Sequence, residues 1–199
     1  MEPSLATEIP RLLAADPRVL SVELTGSRAR GDPGPLSDWD FALVSNDASG
    51  VCRRLPSLLS PLKPIALVPD PLARHVVVAP ILPGPVKVDL IFDEEHAPEP
   101  PWVPGGQNLI SIDAHFWDWT LWLAGKQLKG NERLVQRELS LMHQHLLAPL
   151  GVAAAPDSLG EAVLAYIERR TAWEMREGVV VPRELEDAVR GALVRHRLI

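Results

Sequence analysis

The chain of 199 residues is 46% hydrophobic and 23% charged, enough for a substantial core in one large or two small domains. No apolar run nears the roughly 20 residues that span a bilayer, the opening MEPSLATEIP lacks the basic start and apolar core of a signal peptide, and the single Cys52 permits neither an intrachain disulfide nor a cysteine-built zinc site, so a soluble cytoplasmic protein without membrane contact is expected. The net charge of −6 and isoelectric point near 5.5 argue against an extended nucleic-acid surface, which needs clustered Lys and Arg, and leave room for a local basic pocket only.

Leu5, Ile9, Leu12 and Leu13 recur at helical spacing and predict a short helix within residues 4–15, with Pro10 tolerable only in a first turn and Asp16-Pro17 ending it. RVLSVELT then reads as a strand, with Val19, Ser21 and Glu23 on one side and Leu20, Val22 and Leu24 on the other. DWDFALVS is a second strand. SGVCRRLPSLLSPL is an amphipathic helix expected to break near Pro56, and PIALV, RHVVVAPIL and VKVDLIF are three further strands, the last two joined in a hairpin by Pro83-Gly84-Pro85. HAPEPPWVPGG, residues 96–106, marks a linker. We therefore expect an α/β domain over residues 1–98 and a helical accessory domain over 107–199, with helices at 112–128, 132–147, 159–176 and 183–198. Ser158 reads as an N-cap, Gly178 as a stop and Pro182 as a first helical residue.

The chemistry concentrates in LTGSRARGDPGPLSDWDFALV, residues 24–44. Alternation along a strand puts Asp38 and Asp40 on one face, with Trp39 and Phe41 on the other. Two carboxylates within about 4 Å repel by roughly 4 kcal/mol at an effective dielectric near 20, so a cation is expected between them. Hard oxygen ligands favour Mg²⁺ or Mn²⁺. Upstream, Gly26-Ser27 ends the first strand. A glycine lets a phosphate approach backbone N–H groups, Ser27 adds a hydroxyl donor, and Arg28 and Arg30 supply positive charge. In VKVDLIF, Val86, Val88, Leu90 and Phe92 form the buried face, so Asp89 is an acid on the open face. It reads either as a third carboxylate of the same site or as a solvated strand aspartate.

Gly26-Ser27, the spaced Asp38-Trp39-Asp40-Phe41 and Asp89 on a later strand together resemble the nucleotidyltransferase superfamily that includes DNA polymerase beta. The strings GSRARG and SDWD are similar to those of its bacterial aminoglycoside and lincosamide nucleotidyltransferases and minimal nucleotidyltransferases. The resemblance covers about residues 19–92. It implies a mixed β-sheet flanked by helices, followed here by a C-terminal helical bundle. It also implies that Asp38 and Asp40 hold two Mg²⁺ ions, that Asp89 completes the catalytic metal site, and that Gly26 and Ser27, with Arg28, Arg30 and Ser37, hold the phosphates of an NTP, ATP foremost. In related transferases lysines of the helical half reach the triphosphate, which makes Lys126 and Lys129 of AGKQLKGNER candidates. No feature of the sequence separates the two.

The resemblance implies transfer of a nucleoside monophosphate from the NTP to a hydroxyl of a small, aminoglycoside-like acceptor, with release of pyrophosphate. The alternatives are an antitoxin-type enzyme that adenylylates a protein partner and a nucleotide-binding module that has lost catalysis. A general base is sought in Asp89 itself, Glu94, Glu95 or Glu138. Trp117, Trp119 and Trp122 are expected to pack within the helical half, with an aromatic wall for a ligand as the alternative. Arg137 and His143 match only loosely an Arg-x5-His spacing of ribonuclease toxins, because residues six apart do not face one another on a helix.

Overall fold

The structure, a computed structural model, describes residues 4–199. Contacts divide the chain into two compact units, one ending at Glu99 and the other beginning at Pro100. In the first unit, strands β1 (Val19–Leu24), β2 (Trp39–Ser45), β3 (Ala66–Pro69), β4 (His75–Leu82) and β5 (Val86–Glu95) form one mixed sheet in the order β1-β2-β5-β4-β3. Only β2 and β5 run parallel. A parallel pair needs a crossover, and here helix α3 (Ala48–Leu58) with β3 and β4 supplies it. The predicted hairpin closes at Leu82 and Val86.

One face of the sheet carries the core. Phe41, Leu43, Val88, Leu90 and Phe92 pack with Ile9, Leu12 and Leu13 of α1 (Leu5–Leu13) and with Val51, Leu55 and Leu58 of α3. Each such side chain contributes about 1.5–3 kcal/mol by burial, and together they pin the register of the two central strands. By alternation the opposite face receives Asp40, Lys87 and Asp89.

Three local expectations change. The register of β1 shifts between Val19 and Ser21. The extra residue is Leu20, which is left exposed, while Val19, Val22 and Leu24 all pack toward the core. Both prolines sit inside their helices: α1 runs through Pro10, and α3 runs through Pro56 to Leu58 before a 3₁₀ turn at Ser60–Leu62. Burial of the flanking leucines outweighs the missing N–H in each case.

The second unit is helical. Helix α4 (Leu109–Leu128) is buried almost all round and packs with α5 (Glu132–Met142), α6 (Leu159–Glu177) and α7 (Glu184–Arg195). Burial on nearly every side marks a central helix. Residues His143–Leu147 continue α5 as a π-helical turn. Ser158 caps α6 by accepting from the Glu161 N–H at 3.2 Å, and Gly178 ends it at φ +66°. Pro182 lies just outside α7, whose N-cap is Arg183. Trp117 is fully buried and Trp119 nearly so, and Phe116 stacks on Tyr166 at 3.7 Å between ring centroids. Among the described residues no helix is long and apolar enough to cross a membrane.

A buried ionic knot ties this unit together. Asp113 Oδ1 of α4 accepts from Trp117 Nε1 at 3.2 Å, Tyr166 OH at 2.7 Å and Arg170 Nη1 at 3.1 Å, and Arg170 also reaches Glu186 of α7 at 2.5 Å. Burial pushes the Asp113 carboxyl up, while its donors pull it down. Removing one partner of such a knot strands a buried charge. Arg170→Met is therefore expected to destabilise the unit by about 3–5 kcal/mol in denaturant unfolding.

In the first unit, Arg18 donates from Nε and Nη2, both at 2.8 Å, to the two oxygens of Asp16, and Arg54 of α3 lies 3.6 Å away. The Arg18 hydrogen bonds hold the Asp16 carboxyl at about 2, below its unfolded value of about 3.9. Its stabilisation is thus complete above the unfolded value and is lost as pH falls toward the folded one. Asp16→Asn should lower the melting temperature at neutral pH, and the gap to the native chain should close as the buffer is taken from about pH 5 to pH 2.

Candidate active site

The parallel pairing of β2 and β5 builds the site. Trp39 sits opposite Val88 and Asp40 opposite Asp89, across a strand spacing of about 4.8 Å. Trp39 and Val88 belong to the core side, so Asp40 and Asp89 share the other face at the same level. Asp38, two residues before Asp40, returns to that face. One carboxylate oxygen from each of Asp38, Asp40 and Asp89 lies within 4.8 Å of the others, with Asp38 buried and the other two half-buried. Three anions this close repel by several kcal/mol. An all-carboxylate donor set of this compactness fits a hard divalent cation such as Mg²⁺ or Mn²⁺.

The turn after β1 is shaped around Asp40. Thr25 donates to the Asp40 carbonyl from its N–H at 2.8 Å and from its hydroxyl at 3.3 Å. Residues Gly26–Arg30 then coil into the short helix α2. Gly26 adopts φ +67°, and a Cβ there would stand 1.9 Å from Asp40 Oδ2. The sequence needs glycine at 26 for two reasons, the left-handed backbone and the carboxylate against it. Ser27 follows within α2, half-buried.

Arg28 and Ser37 hold the loop that delivers Asp38. The Arg28 guanidinium donates to the Ser37 carbonyl at 2.8 Å and the Asp38 carbonyl at 3.0 Å, and lies 4.2 Å from the centre of the Trp39 ring. Burial pulls its basicity down, and the Asp38 and Asp40 carboxylates oppose that pull. Ser37 is buried, and its Oγ accepts from the Gly34 N–H at 2.8 Å. Leu36, at φ +54°, supplies the reversal just before it. Arg30 points elsewhere: it is exposed and lies 3.6 Å from Asp32.

Lys87, two residues before Asp89 on the same strand face, is a further charged residue at the site. It is 7% exposed, and its Nζ lies 2.7 Å from Asp89 Oδ1. The signal was present: Lys-x-Asp on a strand brings ammonium and carboxylate to one face.

Lys126 and Lys129 belong to the second unit. Lys126 closes α4 with its ammonium 4.8 Å from the centre of the Trp122 ring, and Lys129 is exposed at the helix C-cap. Glu138 is engaged by Arg137 at 2.8 Å and Glu95 by Arg74 at 3.1 Å, while Glu94 lies near Cys52 of α3 and adds to the upward push that burial gives that thiol. His143 meets the Val152 carbonyl at 3.0 Å, apart from the Arg137 pairing with Glu138.

Among known proteins, residues 7–96 match the family model described as a nucleotidyltransferase domain. No curated protein matches the sequence. Of solved structures, an aminoglycoside 6-adenyltransferase from Bacillus subtilis is similar at 10% identity and a TM-score of 0.34, over 96% of this chain and 97% of that one.

The Gly26 geometry is testable without any ligand. Gly31 also has positive φ, at +78°, but a Cβ there meets nothing within 4 Å. Gly31→Ala should therefore cost only the left-handed backbone term of about 1–2 kcal/mol. Gly26→Ala should cost more by denaturant unfolding, and most of the excess should be relieved in an Asp40→Ala background, where the colliding carboxylate is gone.

Proposed function

We propose that residues 7–96, which match the model of a nucleotidyltransferase domain, form such a domain of the DNA polymerase beta-like superfamily, and that the chain is an enzyme that moves a nucleoside monophosphate from an NTP, ATP foremost, to a hydroxyl of a small acceptor. The observation that carries this reading is the register that sets Asp40 against Asp89, with Asp38 in reach. Asp38, Asp40 and Asp89 would hold two Mg²⁺ ions, and Gly26 and Ser27, just beside Asp40, would receive the triphosphate. When bound, such ions neutralise the charge of the transferring phosphoryl group and its leaving group.

The protein's own part is positioning. The acceptor oxygen forms a bond to the α-phosphorus, the bond from that phosphorus to the bridging oxygen breaks, and pyrophosphate leaves with the electron pair. The hydroxyl proton passes to a carboxylate, and Asp89 is preferred because it belongs to the carboxylate cluster itself. Arg28, fixed on the Ser37 and Asp38 carbonyls, acts in this reading as the brace of the metal-holding loop rather than as a direct phosphate contact.

A small acceptor is favoured over a nucleic-acid strand by the charge. The chain carries −6 overall, and Arg137, Arg170, Arg176, Arg183 and Arg190 of the second unit are all in ion pairs with glutamates. The deciding experiment incubates the protein with α-labelled ATP or GTP, Mg²⁺, and a panel of aminoglycosides, lincosamides and cell extract. A labelled small molecule supports the proposal. Label on a protein would replace it with protein adenylylation, and no transfer with retained NTP binding would leave a binding module.

Asp38→Asn and Asp40→Asn should each reduce transfer at least about a hundredfold while the chain stays folded. Asp89→Asn should keep NTP binding in Mg²⁺ and lose single-turnover transfer. Wild-type rates in these variants would remove the triad from the chemistry.

A further inference from the structure

The backbone fixes where the Asp89 side chain starts but not where its carboxylate points. Strand β5 is held by β2 on one side and by β4 on the other, with Asp89 level with Asp40 and Lys87 level with Ile81. Both side chains therefore leave the sheet at set places on one face. The last torsion of an aspartate, by contrast, is broad and roughly two-fold, so the carboxylate needs an anchor to hold one direction. Lys87 supplies one: its Nζ lies 2.7 Å from Asp89 Oδ1, and its own side chain is only 6% exposed. A lysine is rarely buried this far unless it is paired. An apolar residue of similar volume would serve the sheet as well, because a buried ion pair often stabilises no more than the apolar residues that could replace it. What the pair adds is direction.

Building on the nucleotidyltransferase reading above, we propose that Lys87 is a positioning residue for the acceptor step, which anchors Oδ1 of Asp89 and so holds that carboxylate turned toward Asp38 and Asp40. One oxygen of Asp89 stands within 4.8 Å of an oxygen from each of them. The lysine acts through Asp89 and neither holds the nucleotide nor carries the proton. Proton transfer requires the carboxylate to be within hydrogen-bond reach of the acceptor hydroxyl. A side chain free to swing would meet that geometry only part of the time, and a misplacement of about 1 Å can cost a hundredfold in rate.

The test compares the full native chain with Lys87→Met, which keeps the stem and removes the ammonium, and with Lys87→Arg, which returns a cation. Crystals of each report the place of the Asp89 carboxylate. Single-turnover transfer from α-labelled ATP, to whichever acceptor takes label from the native chain, is measured beside equilibrium binding of ATP with Mg²⁺. In Lys87→Met the Asp89 carboxylate should turn away or occupy more than one rotamer, while Asp38 and Asp40 keep their places. Transfer should fall at least about tenfold, with ATP affinity changed by less than about threefold. Lys87→Arg should recover part of the lost rate. Native transfer in Lys87→Met, or an Asp89 carboxylate that stays where it was, would overturn the proposal. An equal loss of ATP affinity and rate would also overturn it, by making Lys87 a phosphate contact. Should Lys87→Met not fold, Lys87→Gln takes its place with the same expected direction, and if neither folds the pair is structural and the proposal fails. A native chain that labels no acceptor removes the transferase reading itself, whereas native transfer that ignores the Lys87 substitutions sinks the Lys87 proposal alone.

Discussion

The parallel pairing of β2 with β5 is the constraint on which the first unit turns. It places Asp40 against Asp89 on one face while Phe41, Leu43, Leu90 and Phe92 lock the other face into the core. Like charges at such spacing would separate if they sat on loops. On paired strands they cannot, because shifting either strand by one residue would carry its whole apolar set out of the core. The repulsion among the carboxylates is therefore borne by burial on the far side of the sheet.

The groups around the triad serve that arrangement. Gly26 leaves room for the Asp40 carboxylate, and Thr25 ties the end of β1 to the Asp40 carbonyl. Arg28 holds the Ser37 and Asp38 carbonyls and covers Trp39, so one cation braces both the loop and the edge of the core. An arginine suits this work because its planar fork serves two acceptors while its face lies on a ring. The motif that reads as a phosphate loop is thus also a mechanical support for the acids that follow it.

The second unit solves a different problem with a similar device. Its central helix is buried almost all round, and apolar packing alone does not specify which neighbours it takes. The buried Asp113, Tyr166, Arg170 and Glu186 join α4, α6 and α7 by directional contacts. A glutamate on α6, Glu174, extends the set to Arg183 at 2.6 Å, beside the start of α7. Each charge in the knot has a partner, as burial at this depth requires.

Much of this was legible in the chain itself. The alternation of DWDFALVS and VKVDLIF determined which side chains share a face, and Gly-Ser followed by the spaced aspartates carried the resemblance to the nucleotidyltransferases and singled out the acids of the candidate site. The linker prolines and the four helical periodicities were equally plain, because they are local properties of composition and spacing. The tertiary structure decided what depends on partners distant in sequence. A bulge at Leu20 turned Val19 inward, core packing carried α1 and α3 through their prolines, and Arg28 was drawn to backbone carbonyls nine and ten residues away. The burial of Lys87 beside Asp89 was likewise set by the fold. Lys-x-Asp on a strand could be read locally, but the meeting of Asp89 with Asp40 arises only when β5 pairs with β2 and residues some fifty positions apart stand at one level.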